Sequence, residues 1–343
     1  MRILVTGGCG FVGSNLCLYL NKNIKNLTIY SLDNLFRKGS KINEKRLKKN
    51  GIKNFKIDIS NYNKVRHLPK VDLVIDCCAE PSIEVSKNDT DRVINTNFLG
   101  TYNILKKCLN HKANIIFLST SRVYSISKIK KRFNKNNNIR NIFYSKNKIN
   151  EQFDTSGIKS IYGLTKFCSE ELIKEFNYCH NIKYIINRFG VISGPWQFGK
   201  QDQGFVSLWV AKHILKKKLS YIGFGGEGNQ LRDIIHVDDV CEIILKQIKN
   251  FKKKNNEIYN IGGGPKNTVS LKKLTEICED ITKNKIKFNK IKNTSNYDIP
   301  YFITDNKKIK KAYKWLPKKN VHNILNDVFF WLKNNKNILN LYK

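Results

Sequence analysis

The sequence predicts an α/β protein, a doubly wound parallel sheet followed by a smaller mixed α/β domain. Three observations predict it. Short β-like runs alternate with helical patterns through the first half of the chain, as expected for parallel strands joined by crossover helices. A glycine cluster stands between the first such run and the first helical pattern. Beyond Gly194-Pro195 the alternation gives way to scattered helical patterns. At 343 residues the chain is long enough for two domains. The expected division is 1–186, with returning segments near 232–262, and 187–343.

The elements follow in order. Residues 2–6 make the first β-like run, and the helical pattern after the glycines runs through Leu16 and Leu20. A second run over 27–32 ends at Asp33, and further apolar runs lie at 55–57, 71–75 and 115–118. Between the last two, Val93, Phe98, Tyr102 and Leu105 keep helical spacing. Residues 126–158, rich in Lys, Asn and Ser, are expected to be a long loop or insertion. A helix is expected from Tyr162 and a strand near 183. Four more helices are expected at 205–217, 237–250, 270–283 and 321–333.

The formal net charge is +36, yet only ten of the 63 basic residues are Arg. The Lys runs at 128–132 and 252–254 carry no interleaved aromatics. Arg is the usual reader of base edges, so a solvated basic surface is expected and not a nucleic-acid interface. No apolar run approaches the ~18 residues of a membrane helix, and the glycine-broken N-terminus does not resemble a signal peptide. The cytoplasm is the expected location. Nine cysteines occur without a Cys-x-x-Cys spacing, and neighbouring Cys77 and Cys78 fall in a strand-like run. Adjacent strand residues face opposite ways, so reduced, mostly buried thiols are expected, with no metal.

The motif Gly7-Gly8-Cys9-Gly10-Phe11-Val12-Gly13 follows a strand and opens a helix. In that context the glycines let a pyrophosphate approach backbone N–H groups at the helix N-terminus, the arrangement of a Rossmann-type dinucleotide site. Asp33 stands twenty residues after Gly13, at the end of the second run. Its carboxylate can accept from a ribose diol and repels a 2′-phosphate, favouring NAD over NADP. Arg37 and Lys38 keep NADP open. Tyr162 and Lys166 are four apart, hence on one helix face. A free phenol has a pKa near 10, and a cation one turn away favours its phenolate.

With these residues in place, the chain resembles the extended short-chain dehydrogenases/reductases that act on nucleotide sugars. The matching stretches span nearly the whole length: Thr6 to Gly13, Asp33-Asn34-Leu35, Asp58-Ile59, Asn97 to Thr101, Ser119-Thr120 before Val123-Tyr124, Tyr162 to Lys166, Arg232-Asp233 before His236 to Asp239, and Asn260 to Gly264. A second set is Asp33 to Gly39, Ala79-Glu80-Pro81-Ser82, Asn187 to Gly204 and Gly225 to Asp233. That set narrows the resemblance to epimerases of CDP-sugars.

The resemblance implies roles. Tyr162 is the base and acid, Lys166 tunes it and binds ribose, and Thr120 hydrogen-bonds the reacting sugar oxygen. The NAD site draws on Gly7, Gly10, Phe11, Val12, Gly13, Asp33, Asn34, Arg37, Asp58, Ile59, Cys78, Ala79 and Asn97. Glu80, Gln203 and Arg232 are implied to face the substrate, Arg232 against the diphosphate. Related dehydratases place an acidic pair directly after the Thr, where this chain has Ser121 and Arg122, so elimination is disfavoured. The chain departs from the pattern at Ser125, Val191 and Ser295. Alternatives are a 4-epimerase, a reductase or dehydratase, or an NAD-binding regulator without activity. A homo-oligomer is expected through the helix after Val93 and the one after Tyr162.

Overall fold

The structure, a computed structural model, describes residues 1–134, 148–201 and 203–342. The chain divides into two compact units. The first comprises Met1–Val123, Ser160–Arg188 and Cys241–Tyr259. Its strands are β1 (Arg2–Thr6), β2 (Thr28–Leu32), β3 (Lys53–Phe55), β4 (Leu73–Asp76), β5 (Asn114–Thr120) and β6 (Tyr184–Phe189). With Glu257–Ile261 at one edge, the seven-stranded sheet runs Glu257–Ile261, β6, β5, β4, β1, β2, β3. β1 pairs in parallel with β2 and β4, β2 with β3, and β4 with β5. This is the expected doubly wound sheet.

Burial on both faces explains the near-continuous apolar strands. Ile3, Val5, Val74, Ile75, Ile115, Ile116, Phe117, Ile185 and Ile186 are wholly inaccessible. Each such side chain contributes roughly 1.5–3 kcal/mol through removal from water. The register also builds a shelf. Thr6 lies opposite both Leu32 and Asp76, so β1, β2 and β4 end level. Asp76 lies opposite Phe117, so β5 continues three residues further to Thr120.

Two local features differ from the expectation. β4 stops at Asp76, so Cys77 and Cys78 follow the strand rather than lie in it. The segment around Val93 is three pieces: Thr90–Ile94, a π-helical turn Asn95–Leu99, and Gly100–His111. The extra residue in that turn shifts the helical phase. Val93 and Leu105 stay in the core while Tyr102 is 38% exposed.

The second unit comprises Tyr124–Lys159, Phe189–Val240 and Asn260–Lys343. Its mixed sheet centres on Leu231–His236, paired antiparallel with Thr268–Ser270 and parallel with Tyr301–Phe302 and Val191–Ser193. Strands Leu219–Ile222 and Phe288–Ile291 form a separate parallel pair. Helices Phe205–Ile214, Leu271–Thr282 and Val321–Asn334 lie within it, close to their expected places. Val237–Asn250, also as expected, runs across the division.

Residues 126–158 do not form a loop throughout. Helix Ile126–Asn134 opens the segment. Ile126 and Ile129 are buried, and Phe133 stacks on Tyr301, a helical stripe at i, i+3 and i+7. Residues 135–147 of the expected insertion lie outside the described residues. The stretch joins the second unit through bonds such as Ile149 N–H to Ile303 O at 2.8 Å and Tyr124 Oη to Asn260 Oδ1 at 2.6 Å. These pairings explain why it departs from the 1–186 grouping. Among the described residues, no helix is long and apolar enough to cross a membrane.

Candidate active site

The glycine loop sits on the shelf where β1 ends. Gly7 has φ +60°, a conformation glycine adopts without Cβ strain, and its carbonyl accepts from Gly10 N–H at 2.9 Å. A Cβ at Gly13 would lie 2.2 Å from that same oxygen, so only glycine allows helix Phe11–Asn23 to start this close to the loop. The helix begins at Gly10 without a side-chain cap. Uncapped N–H groups at a helix start suit an anion such as a pyrophosphate.

Asp33 stands at the end of β2, its carboxylate accepting from Cys9 N–H at 3.1 Å and Leu35 N–H at 2.8 Å. Burial raises its pKa, and those two N–H donors oppose the rise. Asn34 Nδ2 donates to Asp58 at 2.8 Å, and Asp58 also takes the N–H and hydroxyl of Ser60. Ile59 is buried, and a Cβ at Gly100 would come within 2.7 Å of it. Asp76, fully buried at the end of β4, accepts from the hydroxyls of Thr6 and Thr101 and from Cys78 N–H. The sequence reading did not single it out. A carboxylate closing an apolar run was the available signal.

Ala79 leads into Glu80, whose surroundings differ from a substrate contact. Glu80 is only 4% exposed and ion-pairs with Arg37 at 2.8 Å and with Arg92. Its backbone is pinned on both sides by Asn97, which accepts from Glu80 N–H at 2.7 Å and donates to Glu80 O at 3.1 Å. The π-helical turn brings Asn97 to that position, with its amide also donating to Thr165 Oγ1 at 3.1 Å.

Thr120 ends β5, nearly buried, and its hydroxyl accepts from Arg122 N–H at 3.2 Å. The helix Ile161–His180 starts at Ser160, whose hydroxyl caps Gly163 N–H. Tyr162, Lys166 and Glu170 lie one turn apart on it. Burial pushes the Tyr162 phenol up; the neighbouring Thr120 hydroxyl and the charges of Arg122 and Arg37 oppose it, and Glu80 adds to it. The direction is thus opposite to the lowering expected from Lys166 alone. Lys166 is 1% exposed, with Nζ 3.8 Å from the Phe117 ring centre and no hydrogen-bond partner among the described residues. Burial lowers its pKa, with Asp76 the foremost opposing charge.

Below this pair, Glu170 receives Arg188 through Nε at 3.1 Å and Nη2 at 2.6 Å, and Ser119 through its hydroxyl. Arg232 and Gln203 belong to the second unit. Arg232 Nη2 donates to Asp298 at 3.0 Å and to Ile299 O at 2.8 Å, so its guanidinium already carries a carboxylate. Gln203 lies exposed in a turn closed by Lys200 N–H to Gln203 O at 2.6 Å. Among the described residues, no three His, Cys, Asp or Glu side chains gather as a metal-ligand set.

The residues of the first unit fit a bound dinucleotide. Glycines leave room for a pyrophosphate, Asp33 offers a ribose acceptor, and the buried Lys166 ammonium has no hydrogen-bond partner among the described residues. Fold and site together define a dinucleotide-dependent α/β enzyme. A family model described as the NAD dependent epimerase/dehydratase family matches residues 3–262. The chain belongs to that family, and NAD is its cofactor.

Its relatives include CDP-paratose 2-epimerase of Salmonella typhi, 28% identical over 341 residues, covering 96% of this chain and 99% of that one. A putative UDP-glucose 4-epimerase of Methanocaldococcus jannaschii is 30% identical over 339 residues, covering 97% and 99%. Among solved structures, UDP-glucuronic acid 4-epimerase from Bacillus cereus, in complex with UDP-glucuronic acid and NAD, superposes with a TM-score of 0.82 at 23% identity, covering 97% and 99%.

Proposed function

We propose that the protein inverts a hydroxyl-bearing carbon of a nucleotide sugar, with a CDP-sugar favoured, in the manner of CDP-paratose 2-epimerase. The observation that carries this reading is Thr120 next to Tyr162, with the buried Lys166 ammonium one turn along the helix and without a hydrogen-bond partner among the described residues. Such a group supplies what oxidation of a secondary alcohol needs: an oriented hydroxyl, a base for its proton and a cation for a ribose. Thr120 holds the sugar oxygen, and Tyr162 takes its proton and later returns it. Lys166 and Asp33 bind the two ribose diols, and the Gly7–Gly13 loop receives the pyrophosphate. NAD, when bound, supplies reversible two-electron chemistry without net consumption.

Ser121 and Arg122 follow Thr120 where elimination of water would use carboxylates, which supports epimerisation over dehydration. Resemblance over nearly the full length supports the CDP-sugar and the 2-position. A 4-epimerase is the second reading, favoured by the 30% identical archaeal relative. Arg232 and Gln203 are the proposed contacts to nucleotide and sugar, Arg232 by exchanging Asp298 for a diphosphate. The Glu80 carboxylate is engaged by two arginines and is not among them.

A homo-oligomer is part of the proposal. Ile94, Leu99 and Tyr102 near the π-helical turn, and Leu164 on the Tyr162 helix, are 37–45% exposed apolar side chains that a second copy would cover. All nine cysteines are free thiols, which supports a reducing compartment and hence the cytoplasm.

Incubation of the purified protein with CDP-, UDP-, GDP- and dTDP-sugars, followed by NMR, tests the reading. Inversion of one centre in a CDP-sugar is the expected result. Inversion confined to C4 of a UDP-sugar selects the second reading, and no change in any of them overturns both.

A further inference from the structure

The loop after β2, from Asp33 to Gly39, is held by two consecutive residues. The Arg92 guanidinium lies over the Phe36 ring at 4.1 Å. The next residue, Arg37, reaches across 43 positions of sequence to Glu80 at 2.8 Å. The second oxygen of the same carboxylate takes Arg92. Glu80 is 4% exposed; Asn97 fixes its backbone N–H and carbonyl, and Ser82 N–H donates to its carboxylate at 3.3 Å. One buried carboxylate thus fixes two guanidinium groups and the loop between them.

We infer that Glu80 sets the cofactor preference for NAD by withholding Arg37 from a 2′-phosphate. A cation a few residues after the ribose-binding acid is what a phosphorylated ribose would recruit, because a guanidinium fork matches a phosphate. Arg37 is such a cation, and its charge is already felt at the Asp33 carboxylate. Without Glu80 it would offset the repulsion Asp33 exerts on a 2′-phosphate. With Glu80 in place, recruiting it means leaving a buried carboxylate short of one partner, a cost the phosphate contact must exceed. Discrimination therefore has two parts: Asp33 repels the phosphate, and Glu80 removes the residue that would have compensated.

The inference rests on NAD as the cofactor and on Asp33 as the ribose acceptor, not on the identity of the sugar. The full-length protein is dialysed to equilibrium against mixed NAD and NADP, and the bound ratio is read by chromatography after release. A charge-assisted contact is worth roughly tenfold in affinity or more. Glu80→Gln should therefore raise the NADP-to-NAD ratio about tenfold. Adding Arg37→Ala in that background should abolish the gain, which a merely loosened loop would not reproduce. An unchanged ratio in a Glu80→Gln protein that still binds dinucleotide overturns the inference. Should Glu80→Gln fail to fold, Arg37→Ala in the otherwise unaltered chain decides. A fall in the ratio shows Arg37 already serving the 2′-phosphate and overturns the inference, whereas an unchanged ratio supports it. A panel of sugars that gives no epimerisation leaves each of these outcomes readable.

Discussion

Thr120, at the end of β5, stands next to Tyr162 in the first turn of the helix Ile161–His180, and its hydroxyl favours the charged form of the phenol. The juxtaposition depends on β5 outrunning β4 by three residues. In the proposed reaction a sugar hydroxyl entering here meets an orienting group and a base together. Tyr162→Phe removes only the ionisable oxygen. Turnover should drop by about 10²–10⁴-fold, the usual worth of a general acid–base group, while bound NAD stays at the unaltered level. Near-normal turnover would place the base elsewhere.

The pH profile follows from the charges around that phenol. Burial raises the Tyr162 pKa, and Arg122 and Arg37 favour its charged form. With the phenolate as the proposed base, activity should rise with pH through this group. Removing a cation raises the pKa further. Arg122→Ala should thus move the rising limb of kcat/KM to higher pH while leaving the plateau within a fewfold. A limb that stays in place would mean another group titrates.

Arg188 and Glu170 form a buried pair, 4% and 0% exposed, directly beneath the site. Arg188→Met leaves the Glu170 carboxylate with Ser119 as its remaining side-chain donor. Breaking such a pair on one side costs about 3–5 kcal/mol, which equilibrium unfolding in urea would show. Replacing both members with apolar residues of similar size should recover much of it. A loss below about 1 kcal/mol for the single variant would show that the pair does not hold the helix.

His236 supplies an acid-dependent stability term. The ring is 1% exposed, and its Nδ1 accepts from Asp238 N–H at 3.0 Å, which fixes the neutral form. Asp238, Asp327 and Lys319 face it. Burial is the leading cause that lowers its pKa to about 4. The unfolded chain takes up this proton near pH 6.5 and the folded chain only near 4. The contribution is therefore complete above pH 6.5 and is lost as pH falls towards 4, at most about 3 kcal/mol. His236→Asn should flatten stability between pH 7 and 4.5 relative to the unaltered protein. An identical slope in both proteins would remove His236 from the acid response.

What was legible in the sequence was local. Strand, glycine loop, helix, strand and Asp33 follow one another within 33 residues, and Tyr162 and Lys166 are one helical turn apart, so spacing alone could place them. What was not legible depended on distant partners. Glu80 was expected at the substrate through the resemblance alone, and nothing in its neighbourhood announces Arg37, 43 positions away. Helix Ile126–Asn134 was hidden by its own exposed face: the lysines dominate the composition, while Ile126, Ile129 and Phe133 carry the packing. Cys77 and Cys78 prolong the apolar run past Asp76, where β4 ends. Hydrophobicity persisted where ladder pairing had stopped.

The reaction type has its own isotopic signature. If the inverted carbon gives up a hydrogen and recovers the same one, that hydrogen never joins the pool of exchangeable solvent protons. Running the reaction in D₂O should then leave the product without carbon-bound deuterium at the inverted centre, as read by NMR and mass spectrometry. Inversion by deprotonation next to a carbonyl would bring one deuterium into each product molecule. The motivating geometry is Thr120 next to Tyr162, with Ser121 and Arg122 following where an eliminating enzyme would want carboxylates. Tyr162 exchanges its phenolic proton with solvent, but that proton returns to oxygen, so the hydroxyl deuterium washes out on transfer to H₂O. Stoichiometric carbon-bound deuterium would sink the proposed route, and a dependence of product yield on added NADH would turn the assignment towards a reductase.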